Sequence, residues 1–261
     1  MKYYVVDAFA ESVFQGNPAG VCVMSEWLPD DIMQKIAIEN NLSETAFTVK
    51  NKNGNYKLRW FTPESEIELC GHATLGTAYV IANYYERDIH QICFETMSGN
   101  LTVVRKGDLY DMDFPSRMPE AFPLTEQMVD ALGIKPLETY LARDLMFVLE
   151  KEEEVVRAEP DFVKLKALPD GLGVLITAKG NSCDFVSRCF YPKLKINEDP
   201  VTGSAHCNFI PYWAKRLGKN EMLAKQLSKR GGTLHCQSLK DRVKITGSAV
   251  LYAVADICIG I

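Results

Sequence analysis

Two stretches of the sequence place glycine and polar side chains directly before an apolar run of helical character. The first, RWFTPESEIELCGHATLGTAY, covers residues 59–79, and the second, RCFYPKLKINEDPVTGSAHCNFIPYW, covers residues 188–213. A helix N-terminus offers unpaired backbone N–H groups and partial positive charge, and glycine lets a ligand approach the backbone. The pairs Gly71-His72 and Gly203-Ser204 therefore predict two backbone sites for an anion, most simply a carboxylate. The sequence has neither GxGxxG nor GxxxxGK[ST], which argues against a dinucleotide or a nucleoside triphosphate as that anion.

The two stretches also share an order of residues. Arg-x-Phe-x-Pro occurs at 59–63 and again 129 residues later, and Gly-x-Ala occurs at 71–73 and again 132 residues later. A third match joins Gly99 and Gly232, 133 residues apart. Three matches in one order predict a duplicated domain, and the alternative is a coincidence between two strand–loop–helix units. Two copies favour a pseudo-symmetric pair over a solenoid.

The elements that must position these loops are mostly short strands, with few helices. Helices are predicted from about Pro29, over Ala73–Tyr85 and over Ala205–Leu217. The segment Ala73–Tyr85 is apolar almost all round, so we expect a helix buried inside the fold and wrapped by a sheet. Lys151–Glu154, KEEE, is most simply a solvated charged loop or strand end.

A domain boundary is predicted where proline breaks both periodicities, at Pro115–Pro123. The expected architecture is α+β, with two pseudo-symmetric domains, each a β-sheet or barrel wrapped around a central helix. The N-terminal half covers residues 1–117 and the C-terminal half covers 118–247. The last strands, near 248–261, return to the first half.

Composition excludes several classes of function. The chain has 261 residues, a net charge of −5, a pI of about 5.5 and 47% apolar residues, so no nucleic-acid footprint is expected. No apolar run reaches the length of a membrane span. The eight cysteines include no CxxC pair, and the N-terminus has no signal-peptide pattern. We therefore expect reduced, buried thiols and a cytoplasmic location.

One acid is placed to act as a base. Glu44 follows the turn-rich stretch Asn40–Ser43 and precedes the apolar strand that begins at Thr45. A carboxylate at a sheet edge beside apolar walls is expected to have a pKa raised toward the working range of a general base. The residues alone leave an exposed loop acid as the alternative.

Several motifs together resemble the PhzF-like (phenazine biosynthesis) family, which shares the diaminopimelate epimerase fold. They are DAFAESVFQGNPAGV, NNLSETAF, FTPESEIELCGHATLG, SRCFYPKLKINEDPVTGSAHC and LSKRGG. The resemblance covers essentially the whole chain. It implies a cofactor-independent isomerase with two similar halves, an active site between them, a small carboxylate-bearing substrate and a homodimeric assembly.

The resemblance also implies roles for residues. It assigns proton transfer to Glu44, with His72 and Asp199 as catalytic partners. Substrate contacts are implied for Gly71, Ala73, Gly203, Ser204 and Asn17. Ser43, Cys70 and Thr202 are possible secondary residues.

Cys70 separates two kinds of enzyme. In diaminopimelate epimerases a cysteine at the matching place is one of two catalytic acid/bases. The position that matches Cys70 in the second half is Thr202, which argues against a two-thiol epimerase. An epimerase or racemase using Cys70, and a binding protein without chemistry, remain the alternatives. Cys70-x-His72 with His206-Cys207 fits no structural zinc pattern, so no metal is predicted.

Overall fold

Strands form most of the regular structure in the computed structural model, which describes residues 1–259. The predicted α+β class is confirmed. The strands are β1 Lys2–Ala8, β2 Asn17–Met24, β3 Glu44–Lys50, β4 Tyr56–Phe61, β5 Glu66–Ile67, β6 Gln91–Thr96, β7 Gly99–Lys106, β8 Leu109–Pro115, β9 Glu120–Ala121, β10 Glu138–Leu141, β11 Leu145–Val148, β12 Val174–Lys179, β13 Phe185–Tyr191, β14 Ile196–Asp199, β15 Glu221–Gln226, β16 Gly232–Leu239 and β17 Arg242–Asp256.

The helices are fewer. They are α1 Asp30–Asn40, α2 Gly71–Val80, α3 Glu126–Leu132, α4 Glu152–Arg157, α5 Phe162–Ala167 and α6 Gly203–Leu217. A π-helical turn, Ile81–Tyr85, continues α2, and a 3-10 turn covers Pro192–Leu194. No helix within residues 1–259 is long and apolar enough to cross a membrane.

The chain divides into two compact units. Unit 1 consists of Met1–Asp113 and the chain from Thr246 onward, and unit 2 is Phe114–Ile245. Strand β17 therefore begins in unit 2 and ends in unit 1. Of the segment 248–261 that the sequence assigns to the first half, residues 260 and 261 lie outside the described residues.

Unit 1 contains a closed barrel of eight strands. The strands pair in the cyclic order β1–β2–β3–β4–β6–β7–β8–β17, and β17 pairs back to β1. Helix α2 packs against β1, β2 and β3. All residues of α2 except Tyr79 are buried, so the prediction of a buried apolar helix is confirmed.

Unit 2 has its own sheet and its own buried helix. Strands β9 to β13 pair successively, β13 pairs in parallel with β15, and β15 pairs with β16. Helix α6 packs against β15 and β16, and its residues Ala205–Ala214 are buried. A separate apolar core joins helices α3, α4 and α5 to the sheet through Met128, Val155 and Leu165.

The expectation of a charged loop at Lys151–Glu154 is wrong. Helix α4 begins at Glu152, and Lys151 is its extended N-cap. The three glutamates occupy the first turn, where the helix dipole favours negative charge. The fully buried Val155 anchors this short helix to the core, so a charged run that looks solvated is a helix start.

Two glycines of unit 1 should respond oppositely to alanine. A Cβ at Gly247 would lie 2.4 Å from Cδ1 of the buried Phe9, whereas a Cβ at Gly76 in α2 would lie no closer than 3.5 Å to its nearest neighbour. We expect Gly247→Ala to lower the free energy of unfolding by about 1–3 kcal/mol, since overpacking displaces a core side chain. Gly76→Ala should raise it by roughly 0.5–1 kcal/mol through reduced backbone entropy. Urea unfolding of both variants measures the difference; equal effects would contradict the packing described.

Candidate active site

Glu44 is positioned by parallel pairing between β2 and β3. It is the first residue of β3 and lies opposite Ala19 of β2, so the start of β2 at Asn17 is close by. Ser43 Oγ donates to Asn17 Oδ1 over 3.4 Å. The Glu44 side chain is 11% exposed, so the alternative of an exposed loop acid is wrong.

The start of α2 brings two more groups to Glu44. Cys70 is the extended N-cap residue, and its carbonyl accepts from Thr74 Oγ1 over 2.5 Å. His72 follows in the first turn, with Nε2 3.0 Å from Glu44 Oε2 and Nδ1 3.2 Å from Asn17 Nδ2. Cys70 Sγ lies 3.5 Å from His72 Nδ1 and 3.9 Å from Nε2. We call Glu44, Cys70 and His72 the acid–base cluster.

Charges within this cluster outweigh its burial. Burial alone would raise the pKa of Glu44, but the charge and hydrogen bonding of His72 bring that pKa below its ordinary value. Burial would lower the pKa of His72, but Cys70 and Glu44, which gain negative charge on ionisation, raise it well above its ordinary value. The expected raised pKa of Glu44 is therefore wrong in direction, because the sequence did not place His72 beside it. At neutral pH the pair is a carboxylate and an imidazolium.

The Cys70 thiol is protonated in the same environment. Burial and the nearby Glu44 charge raise its pKa, despite the opposing effect of His72. The backbone N–H of Ala73 also faces this sulfur. Ala73 itself is fully buried, so any contact with a substrate has to pass through its backbone.

In unit 2 a second polar cluster surrounds the start of α6. Thr202, the N-cap residue, donates from Oγ1 to Asp199 Oδ2 over 2.6 Å. The buried Gln226 accepts from Thr202 N over 2.9 Å and donates to Asp199 O over 2.7 Å. This amide fixes the loop between β14 and α6. Gln226 was not predicted, because the sequence does not show that the end of β15 meets this loop.

Arg143 is a second residue that the sequence did not reveal. Its Nη2 donates to Asp144 Oδ2 over 2.7 Å, and to Tyr191 Oη and Ser204 Oγ over 3.2 Å each. Asp144 is fully buried and also accepts from the backbone N–H of Gly173. The guanidinium side chain is 33% exposed. A fixed cation therefore lies at the first turn of α6, whose first residue is Gly203.

His206 and Cys207 are structural residues of α6. His206 Nδ1 donates to Thr202 O over 2.8 Å, and burial lowers the pKa of His206 to about 4. Burial raises the pKa of the Cys207 thiol to about 11. Both lie in unit 2, whereas the residues that could share a metal ion are Glu44, Cys70 and His72, whose ligand atoms lie within 4.8 Å of one another.

The two stretches that match in sequence also match in local contacts. Arg59 forms a two-bond ion pair with Glu66, at 2.6 Å for each bond, and its guanidinium carbon lies 5.1 Å from the Phe61 ring centroid. In unit 2, Arg188 pairs likewise with Glu198, at 2.7 and 3.0 Å, with its guanidinium carbon 5.1 Å from the Phe190 ring centroid. Cys70 and Thr202 are the corresponding N-caps. These contacts support the duplication, which stays a prediction.

The architecture is shared with proteins of very different sequence. A probable proline racemase from Agrobacterium radiobacter superposes with a TM-score of 0.68 at 7% identity, over 99% of this chain and 93% of that chain. Together with the closed barrel around α2, the likeness defines a diaminopimelate epimerase-like fold. The sequence matches the phenazine biosynthesis-like protein family over residues 6–255. The chain belongs to this PhzF family, as its motifs predict.

Similar proteins match along their full length. A PhzF-family protein from Enterococcus faecalis, known from its crystal structure, is 56% identical, with a TM-score of 0.97 and 99% of both chains covered. An uncharacterized isomerase from Pseudomonas aeruginosa is 49% identical over 252 residues, which cover 97% of this chain and 96% of that protein. The match therefore extends over both units.

The neutral His206 should make stability depend on acidity. The unfolded residue takes up a proton as the pH falls through about 6.5, its ordinary value, whereas the folded residue does so only near about 4. The unfolded state therefore gains stability over this window, costing the fold about 3 kcal/mol. In His206→Asn the amide can donate to the carbonyl four residues back, as Asn40 and Asn83 do. We expect a shallower loss of unfolding free energy between pH 7 and pH 4, followed by urea titration; parallel curves would refute a neutral His206.

Proposed function

We propose that the protein is an isomerase that moves a proton on a small carboxylate-bearing molecule, with Glu44 as the proton-transfer group. The observation that carries this proposal is the buried contact of 3.0 Å between Glu44 Oε2 and His72 Nε2. It is supported by family membership and by the full-length relative named as an isomerase. No resident cofactor is needed for proton transfer between carbon atoms by such a group.

The lowered pKa keeps Glu44 in its basic form at neutral pH. A carboxylate that takes a proton from one carbon and returns it to another completes an isomerisation without net consumption of acid or base. The adjacent His72 imidazolium would stabilise the carboxylate between turnovers and hydrogen-bond a polar substituent of the substrate. The protonated Cys70 thiol in the same cluster offers a second proton donor.

Recognition of the substrate's carboxylate is assigned to the start of α6. The backbone at Gly203 and Ser204, together with the Arg143 guanidinium, combines helix-terminal N–H groups with a fixed positive charge. Negative charge that develops on a conjugated carboxylate during proton removal would be stabilised there. Asp199, held by Thr202, is proposed to orient a substrate hydroxyl or amino group. That the loops of both halves share one substrate stays a prediction.

The second candidate is an epimerase in which Cys70 and Glu44 act from opposite faces of one carbon. The closeness of Sγ to His72, at 3.5 Å, favours it to this extent. Thr202, at the position of the second thiol, argues against the two-cysteine form, because its hydroxyl is committed to Asp199.

A pair of variants separates the two candidates. Glu44→Gln keeps the shape of the side chain but removes the base, so solvent-deuterium incorporation should fall by roughly 10²–10⁴-fold. Cys70→Ala should cost much less. The measurement is deuterium exchange, by mass spectrometry, on a panel of hydroxylated and aminated cyclohexadiene carboxylates and simple hydroxy and amino acids. Full exchange in Glu44→Gln with none in Cys70→Ala would favour the epimerase instead.

The role of Arg143 is tested through substrate affinity. Arg143→Lys keeps the charge, but a single ammonium group cannot reproduce the planar fork that joins Asp144 and Ser204. We expect KM for the exchanging acid to rise by about 10–100-fold, from a lost charged hydrogen bond, with kcat changed much less. The matched control is Arg216→Lys, since Arg216 pairs with Glu138 at a half-exposed site of the same unit. Equal KM values for the two variants would remove Arg143 from the recognition site.

A further inference from the structure

The acid–base cluster has the dimensions of a metal site as well as of a proton-transfer site. His72 Nε2 lies 3.0 Å from Glu44 Oε2 and 3.9 Å from Cys70 Sγ. In tetrahedral zinc sites, nitrogen and oxygen ligands at about 2.0 Å and sulfur at about 2.3 Å leave roughly 3.3–3.6 Å between ligand atoms. Shifts of a few tenths of an ångström would therefore place all three atoms around one ion.

The donor set selects the kind of ion. A carboxylate, an imidazole and a thiolate together suit zinc and its borderline-soft neighbours, whereas magnesium and calcium prefer oxygen ligands alone. Three protein ligands leave a fourth position for water or an added molecule. The set differs from the combination with His206 and Cys207 considered from the sequence, because Glu44, distant in sequence, supplies the third ligand.

The ligands are held by regular structure and have an outer contact. Glu44 begins β3, while Cys70 and His72 lie at the N-cap and in the first turn of α2. The other nitrogen of the imidazole, Nδ1, faces the Asn17 amide at 3.2 Å, and Asn17 is fully buried. Outer hydrogen bonds of this kind orient metal-binding histidines.

We propose that Glu44, Cys70 and His72 form a binding site for a thiophilic divalent cation of the zinc type, which competes with proton transfer in the same cluster. Binding replaces the protons on the Cys70 sulfur and on His72 Nε2 by bonds to the metal, so two protons are released to solvent. The occupied cluster then has no free base and no free acid. Metal binding stands on the geometry alone, and inhibition by metal rests on the proposed function.

Cobalt(II), a spectroscopic substitute for zinc, tests the site in the full-length, reduced protein. We expect stoichiometric binding with a near-ultraviolet sulfur-to-cobalt charge-transfer band, which added Zn²⁺ abolishes by displacement. Cys70→Ser should lack the band. The matched control, Cys258→Ser, removes an exposed thiol far along the sequence and should keep it.

A second variant guards against misfolding of Cys70→Ser. Asn17→Ala leaves all three ligands in place and should weaken Co²⁺ binding by about 10–100-fold, the usual effect of removing an outer contact. Absence of the band in the wild-type protein overturns the proposal. So does a band that survives in Cys70→Ser, since the thiolate would then belong to another cysteine.

The exchange assay separates this inference from the proposed function. Zn²⁺ should suppress deuterium incorporation, and EDTA should restore it. If the cobalt band forms while Zn²⁺ leaves exchange intact, the metal site stands and the role of Glu44 in proton transfer fails. If no band forms but Glu44→Gln loses exchange, the metal site fails and the proposed function stands.

Discussion

The buried contact between Glu44 and His72 is the constraint on which the chemistry of unit 1 depends. Two charges removed from water are tolerated only when each compensates the other and further hydrogen bonds satisfy them. The fold meets this condition by pairing β2 with β3 in parallel, so that Asn17 and Ser43 meet, and by starting α2 directly beside them. Removing one partner would leave the other charge buried and unpaired, so neither residue is free to change alone.

Each unit holds its loop before the central helix by similar means. An arginine on the preceding strand forms a two-bond ion pair with a glutamate and stacks on a phenylalanine two residues along its own strand. The loop is thereby shaped before any ligand arrives. The halves then diverge at the N-cap, where Cys70 contacts an imidazole and Thr202 contacts a carboxylate. One scaffold thus presents two different chemistries at equivalent helix starts.

The sequence predicts the fold better than the site. Apolar periodicity and the glycine before each helix were sufficient to place α2 and α6, and the motifs were sufficient for the family. The sign of the Glu44 pKa shift was not predictable, because it depends on His72, 28 residues later in the sequence. Arg143 and Gln226 were missed for the same reason: each belongs to an unremarked segment that only tertiary pairing brings to the start of α6.

The path of β17 has a consequence for how the chain is made. The barrel of unit 1 closes only when β17 pairs with both β1 and β8, yet β17 is the last strand synthesised. Unit 2 lies wholly between the two parts of unit 1 in the sequence, so it is complete on the ribosome before unit 1 can be. We expect the second unit in the chain to fold first, while β1 to β8 wait as an open sheet with unpaired edges. Such edges are sites of aggregation, which makes the barrel strands the segment most dependent on rapid completion of synthesis.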